Sequence, residues 1–550
     1  MPVCPVCSTE STAMLAETPY RSCDHCGLAF QSPPRAAWRS SGVPQGLRTP
    51  DSMSEHDRGV NRDLARWLLE HAMRGTPARV LDLHCRYPFL VRCFADLGCE
   101  AYGVDADPTC VALGRDLGVT VVAQDLDALD PPALFAQGRG GRFALVTMVH
   151  AFDRLRDPVA ALRVLRRLVA DDGRVFLRLP DHALAGSERW LAREHSEVAP
   201  FLFSFSALLE LCVRTQDLFA IERTFALDGA GQRDLVLKPL ARKPLVIAGL
   251  IVKNEERDLP RCLKSIEEVV DEVVVVDTGS TDRTLEVAVS TIAKPVHVQT
   301  YTGASRRDEH GDWKLWDFGK ARNVFVDEID RRVADWALWM DADDELLTPV
   351  NLRRAMWWHE FDVYGVQIES AGQRWLHHRL WRAARGIRFE GRCHEYPTIG
   401  GHPTLALSDS VIRHDAAPGF GEGANARNLR ILAEEFAEAP TPRVAFYLGS
   451  THKDAGRWRE AIDAYATRIA MGEGYRDEWL FAWLYKARCE RMAGDDAAAE
   501  RTLLEATSRE RTWAEFWMEL AYIAYAQKRW TQAMGYALQA AALTVPPTML

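Results

Sequence analysis

The sequence predicts a multidomain α/β protein: a short four-cysteine module, two successive open α/β segments and a C-terminal array of helices. Three observations carry this. Two CxxC pairs fall between Cys4 and Cys26. Two stretches alternate apolar runs of strand length with runs of helical periodicity. From Asn425 onward strand patterns stop, and similar helical stretches recur roughly every 34–38 residues. At 550 residues the chain is too long for one hydrophobic core, and about three to five domains follow from length.

Composition is globular, 47% hydrophobic and 26% charged, without a low-complexity tract. The net charge of -10 gives no overall basic field to hold nucleic acid or an anionic membrane surface, so no nucleic-acid partner is expected. The opening "MPVCPVCSTE" lacks the basic start and apolar core of a secretion signal. The longest apolar runs, "PLVIAGLIV" and "DEVVVVD", fall far short of the roughly 20 residues of a membrane helix. Eight of the 12 cysteines are scattered without pairing pattern, which suits a reducing compartment, and a soluble cytoplasmic protein is expected.

The first segment, over residues 1–35, contains Cys4, Cys7, Cys23 and Cys26. Two such knuckles at this separation let four thiolates meet tetrahedrally around Zn²⁺, and Gly27 gives the second knuckle room to turn. A module this short has little core, so metal binding would supply much of its folding free energy. Four sulfurs leave no open coordination position, which makes the role structural; His25 is a bystander, and reduced unliganded cysteines are the alternative. A polar stretch from Pro33 to about His56 reads as a linker.

The second segment, about 56–240, reads strand, turn, helix, strand in "RVLDLHCRYPFLVRCFADLGCEAYGVDADP", with strands at Arg79–Leu83 and Ala101–Val104. Two further strands, "FALVTMVHAF" and "GRVFLRLP", flank the helix "DPVAALRVLRRLVADDG". This alternation predicts a doubly wound parallel sheet. The segment resembles a class I S-adenosylmethionine-dependent methyltransferase domain, a family that often carries a zinc-ribbon leader. Asp105 matches the acidic residue the family sets on the cofactor ribose. The family's D-x-G-x-G-x-G turn is replaced by Asp82-Leu-His84-Cys-Arg86-Tyr-Pro88, which adds bulk where backbone must approach the cofactor and puts a positive charge beside a sulfonium. The run ending in Asp153 and Arg154 also departs from the family's H-x-x-E-H. These departures disfavour S-adenosylmethionine as a ligand and leave a fold retained as scaffold or binding module.

The third segment, about 244–420, opens with "PLVIAGLIVKNEE", a strand and a turn containing Asn254 and Glu255. A second strand ends at Asp277, followed by the polar turn "TGSTDRT", whose backbone N–H groups and hydroxyls suit a ligand and which is flanked by Asp277 and Asp282. A helix from Phe318 and the apolar strand "WALWM" then lead to Asp341, Asp343, Asp344 and Glu345. Crowded carboxylates repel, so they either lie in water or share a divalent cation. In extended chain Asp341 and Asp343 point the same way, and hard oxygen ligands suit Mg²⁺ or Mn²⁺.

Five ordered stretches, "IVKNEE", "DEVVVVDTGSTDRT", "DFGKARN", "DADDEL" and "EGRCHEY", resemble the family 2-type glycosyltransferases of GT-A fold. The resemblance is closest to the soluble branch that carries tetratricopeptide-like repeats and includes peptide-modifying enzymes. It implies a nucleotide-sugar donor, UDP favoured, and inversion at the anomeric carbon. Asp343 is then the best direct metal ligand, with Asp341 on ribose or on metal-bound water. Residues Ile251–Lys253, Asn254 and Glu255 lie by the base and ribose, Asp277 recognises the base, and Arg322 and Asn323 face the donor. Lys320 is a solvated helix charge or a donor contact. Glu395, in the His394-Glu395 pair, is the candidate base. His414 is a third metal ligand, a phosphate donor or a packing histidine. Asp344 and Glu345 favour the N-terminus of a following helix. Cys393 has no evident basic partner and is not read as a nucleophile. Trp375, His377, His378, Arg379 and Trp381 form an aromatic and basic cluster suited to sugar and phosphate, or else a partly buried strand with a charged edge; Arg379 and Arg382 resemble the family's R-L-x-R strand.

The last segment, 425–550, aligns Leu448-Gly449, Lys486-Ala487 and Leu520-Ala521 in step, near the period of tetratricopeptide helix pairs. Stacked pairs form a groove that can take a peptide or protein acceptor, and the alternative is that the Trp and Tyr residues only fill helix interfaces. The expected activity is metal-dependent glycosyl transfer to a soluble acceptor. The competing expectations are a bifunctional methyltransferase–glycosyltransferase and a non-catalytic zinc-ribbon and repeat scaffold.

Overall fold

The computed structural model describes residues 2–10, 13–15, 18–32, 49, 51, 53–73, 78–129, 141–187, 199–227, 229–307, 313–414 and 423–543. Most of the expected linker from Pro33 lies outside the described residues. The chain divides into two compact units, Met1–Pro244 with Val350–Asp362, and Leu245–Pro349 with Val363–Leu550. Among the described residues no helix is long and apolar enough to cross a membrane.

In the first unit a seven-stranded sheet runs Thr120–Ala123, Glu100–Asp105, Arg79–Leu83, Phe143–Val149, Val169–Pro180, Gln232–Pro239, Phe219–Leu227. The first five strands are parallel, as the alternating pattern predicts. The sheet is not wholly parallel, because Phe219–Leu227 and Gln232–Pro239 form an antiparallel hairpin against Val169–Pro180. The helix read through residue 173 ends at Leu168, where the chain turns extended at Val169 and joins the next strand. The cysteine module is stitched to this unit rather than freestanding: Ala29–Phe30 pairs with Phe201–Leu202, and the Tyr20 hydroxyl donates to the Ala199 carbonyl at 2.7 Å.

Residues 350–362 were expected within the third segment but fold with the first unit. Arg354 Nε donates to the Glu210 carboxylate at 2.9 Å, and its Nη2 donates to the His25 carbonyl at 2.7 Å, between Cys23 and Cys26. Glu210 is 4% exposed, and this pairing is what makes its burial tolerable.

In the second unit an eight-stranded sheet runs Val296–Thr300, Glu272–Asp277, Val246–Val252, Trp336–Trp339, Gln373–Arg382, Val363–Ser370, Leu405–His414, Asp344–Leu346. The first four strands are parallel, and the inner three, Glu272–Asp277, Val246–Val252 and Trp336–Trp339, are mostly apolar and buried, as strands covered on both faces require. The helix Phe318–Arg331 lies on this parallel half, and Phe325 packs so closely over Gly249 that a Cβ there would fall 2.2 Å from its ring. Among the described residues seven helices follow, from Ala424–Glu438 to Trp530–Ala541, each packed against the next. Trp483, Trp513 and Tyr465 are buried in their interfaces, so packing accounts for these aromatics, whereas Tyr522, Tyr525 and Trp530 stay exposed.

Candidate active site

The parallel strands Val246–Val252 and Glu272–Asp277 end side by side, with Val252 opposite Asp277. The two turns that follow are laced together. Asn254 adopts φ +57, its N–H donates to Ser280 Oγ at 3.0 Å, and its Oδ1 accepts from the Thr281 N–H at 2.7 Å. The Glu255 N–H donates to Thr284 Oγ1 at 2.7 Å, and the Glu256 N–H donates to Asp282 Oδ2 at 3.3 Å. Asp282 Oδ1 also accepts from the Thr284 N–H and hydroxyl. Asp277 is 2% exposed and accepts from the Ser280 N–H at 2.9 Å. Asn254, Asp277 and Asp282 therefore shape the two turns with their side chains.

The acidic run is built differently from the expectation. The apolar strand stops at Trp339, and residues 342–343 form a turn closed by the Asp344 N–H on the Asp341 carbonyl at 3.1 Å. Two-residue alternation does not apply in a turn, so Asp341 and Asp343 part company. Asp341 Oδ1 accepts from Arg322 Nη2 at 2.8 Å and Oδ2 from Arg379 Nη2 at 2.9 Å. Both guanidiniums lie over the Trp339 ring, 4.3 and 4.1 Å from its centroid. Burial alone would raise the Asp341 carboxyl; the two guanidiniums outweigh it and hold the group well below the usual carboxylate range. Asp341 is thus an anchor of the turn, held by both guanidiniums.

Asp344 and Glu345 cap no helix. They begin the edge strand Asp344–Leu346, which pairs with Leu405–His414, because this register brings Asp344 opposite His414 and Glu345 opposite Arg413. Asp344 is fully buried; its Oδ2 accepts from the Asp341 N–H at 2.9 Å and its Oδ1 meets His414 Nδ1 at 2.9 Å. That contact raises His414 to about 9. Asp343 Oδ1 stands 3.6 Å from the same ring nitrogen, and burial pushes its carboxyl up. Glu255 is raised to about 7 by burial and by the charges of Asp343, Asp258, Asp282 and Asp341. Among the described residues Asp341, Asp344 and His414 form a group whose ligand atoms lie within 4.8 Å of one another. Asp344 fixes Nδ1 of the His414 ring, in the manner of a carboxylate that orients a metal-binding histidine, and Asp343 approaches the same nitrogen. Carboxylate oxygens suit Mn²⁺ or Mg²⁺.

Glu395 stands across from this turn on the other arm of Arg322, whose Nε donates to Glu395 Oε1 at 2.5 Å. Asn323 does not face the donor cradle: its amide exchanges two hydrogen bonds with the Phe389 backbone, at 2.9 and 2.8 Å, and so pins the strand before the Glu395 loop. Arg322 is likewise spent on two carboxylates. His377 packs edge-on to Trp339 and is driven down to about 3 by burial; within the aromatic and basic cluster Arg379 and Trp381 are buried, His377 and His378 half-buried and Trp375 exposed. Trp339, as the platform for both arginines, was not singled out from sequence; the signal was an aromatic two residues before the first aspartate.

In the first unit Asp105 Oδ2 accepts from the Arg86 N–H at 2.9 Å and lies 3.3 Å from His84 Nδ1. His84 and Arg86 hold φ +58 and +48, a conformation that favours glycine, and His84 is 4% exposed. The turn keeps a glycine-type backbone, but the His84 side chain takes the carboxylate a cofactor ribose would need, so these residues do not fit S-adenosylmethionine. Cys4, Cys7, Cys23 and Cys26 converge, with Sγ atoms 3.6 Å apart for Cys4 and Cys26 and 3.4 Å for Cys7 and Cys23, a set that can hold a metal ion.

Residues 248–404 match the family model for glycosyl transferase family 2, and residues 55–214 match a methyltransferase domain. A TPR repeat-containing protein of Synechococcus elongatus is 37% identical over 152 residues, 26% of this chain and 34% of that one. The SPbeta prophage-derived glycosyltransferase SunS of Bacillus subtilis is 24% identical over 256 residues, 43% of this chain and 56% of that one. A ubiquinone biosynthesis O-methyltransferase of Xanthomonas oryzae is 30% identical over 100 residues, 18% of this chain and 42% of that one. The chain thus spans between a third and somewhat over half the length of these relatives.

Arg322 is 5% exposed between two carboxylates, and removing it takes this partner from Glu395 and leaves Asp341 with Arg379 as its one guanidinium. Arg322→Met is expected to cost roughly 3–5 kcal/mol, read as a lowered unfolding midpoint by circular dichroism, with partial recovery on adding Asp341→Asn.

Proposed function

We propose that this chain, with its family 2 glycosyltransferase domain, moves a sugar from a nucleotide diphosphate, UDP favoured, to a soluble acceptor such as a peptide or protein. The single observation that carries the reading is the concentration of acid around one edge of the sheet. Asp343 and Asp344 gather beside His414, neighbouring acids including Asp343 raise Glu255, and Arg322 and Arg379 both pair with Asp341. A divalent cation held by Asp343 and His414 supplies charge that stabilises the departing diphosphate. Asp277 and the Thr278–Asp282 turn, braced by Asn254, hold the nucleoside. Glu395 takes the proton of the acceptor as the acceptor atom bonds to the anomeric carbon and the bond to the diphosphate oxygen breaks.

We take residues 1–35 as a zinc ribbon, 56–240 as a methyltransferase-like module without cofactor, 244–420 as the transferase and 425–550 as repeats that help recruit the acceptor. The cytoplasmic assignment rests on 12 cysteines that are all unpaired. A methyltransferase-type family match favours a second, bifunctional reading.

Thermal shift with UDP-sugars is expected to show stabilisation that needs Mn²⁺ and is abolished by Asp343→Asn; stabilisation independent of both would end the proposal. Because His414 carries a proton up to about pH 9 without metal, Mn²⁺ affinity is expected to strengthen as pH rises from 6 to 9. Titration calorimetry with S-adenosylmethionine is expected to give no binding heat, and micromolar binding would favour the bifunctional reading. Elemental analysis is expected to find one zinc per chain, lost in Cys26→Ser.

A further inference from the structure

We propose that Arg443, on the helix Pro442–Asp454, is a positioning residue for the Glu395 loop, so that the helical array sets the geometry of proton removal. This rests on the assignment of Glu395 as the acceptor-side base. The loop from Gly391 to Glu395 has little regular structure of its own: Gly391 lies at φ +91 and His394 at φ +54. A non-glycine residue held there needs outside support.

The support comes from three helices. Arg443 Nη2 donates to the His394 carbonyl at 3.0 Å. The His394 ring stacks on Tyr447, 4.2 Å between centroids and 11° from parallel. The Arg443 guanidinium lies over Tyr396 and Tyr447, 4.3 and 4.7 Å from the ring centres. Its other edge pairs with Glu478, 1% exposed on the helix Arg476–Met492. On the near side of the loop the Arg392 N–H donates to the Glu435 carboxylate at 3.2 Å, and the Arg392 side chain pairs with Glu438. Helices Ala424–Glu438, Pro442–Asp454 and Arg476–Met492 thus fix the backbone on both sides of Cys393, while Arg322 fixes the Glu395 carboxylate.

A continuous line of paired groups runs from Glu478 through Arg443 and the His394 backbone to Glu395, Arg322 and Asp341. A base must stand roughly 2.6–3.2 Å from the proton it removes. A displacement of about 1 Å can cost around a hundredfold in rate. Tying the base to the repeats, and not only to the sheet that carries the donor cradle, makes its position depend on how the first repeats are packed.

Hydrolysis of a donor panel of UDP-glucose, UDP-N-acetylglucosamine and GDP-mannose with Mn²⁺ gives a readout that needs no acceptor. Water bonds to the anomeric carbon, the bond to the diphosphate oxygen breaks, the nucleotide leaves with the electron pair and Glu395 takes the proton. Arg443→Ala is expected to lower kcat about tenfold or more, with the Kd of Mn²⁺–UDP within about twofold of the parent. Arg443→Lys, which keeps a donor for the His394 carbonyl and a charge for Glu478, is expected to recover much of kcat. Unchanged kcat in Arg443→Ala overturns the proposal. So does a parallel loss of kcat, nucleotide affinity and unfolding midpoint in both variants, which marks mere adhesion. A parent chain that binds no nucleotide sinks the glycosyltransferase reading itself, and one that binds UDP but hydrolyses nothing removes Glu395 from the base position.

Discussion

The second unit depends on one buried charge arrangement: Asp341 between Arg322 and Arg379, with both guanidiniums laid on Trp339. It joins the helix Phe318–Arg331, the end of the strand Trp336–Trp339 and the strand Gln373–Arg382 at one point. A lone carboxylate there would be driven to protonate, and two lone arginines would be costly to bury. Together they satisfy one another and fix the turn that presents Asp343. The remaining arm of Arg322 reaches Glu395, so Asp341 and Glu395 share a single cation. Precise spacing between those acids is the consequence, since neither can shift without unpairing the same guanidinium.

This arrangement explains why much of the site was legible in the sequence and part of it was not. Positions were legible: strand ends, the polar turn after Asp277 and the acid run after Met340 follow from apolar periodicity broken by turn residues. Partners were not. Asp341 and Asp343 look equivalent at a spacing of two, but the strand ends at Trp339 and a turn sends them apart. Asp344 reads as a helix cap until the pairing of Asp344–Leu346 with Leu405–His414 brings it to His414, about 70 residues away. Arg322 and Asn323 were expected to face the donor and instead hold Asp341, Glu395 and the Phe389 backbone. Polar residues in an interior take whichever partner the fold delivers, and long-range register cannot be read from local pattern.

The first unit makes the same point from the other direction. The five parallel strands were legible, the antiparallel hairpin after Phe219 was not, and residues 350–362 joined this unit although nothing in their local pattern marks a departure. Bulk in the turn after Asp82 was visible in the sequence. What only the coordinates add is that His84 and Arg86 keep left-handed backbone angles. Such angles cost about 1–3 kcal/mol for side-chain-bearing residues. Their persistence here goes with the hydrogen bonds to Asp105: the carboxylate that a ribose would engage has become the internal support of a strained turn.

A scaffold reading of that module has a physical consequence for the whole N-terminal unit. Several of its buried carboxylates have internal partners: Asp105 has His84 and backbone N–H groups, Asp82 has Thr147 at 2.6 Å, and Glu210 has Arg354. Burial and the neighbouring Asp105 nevertheless raise Asp82 to about 7, as burial and neighbouring acids raise Glu255 to about 7 in the second unit. What separates the two α/β units is therefore not acid strength but arrangement: in the first, Asp105 is closed over by His84 and the turn it supports, whereas in the second the acids stand at the ends of parallel strands and beside His414.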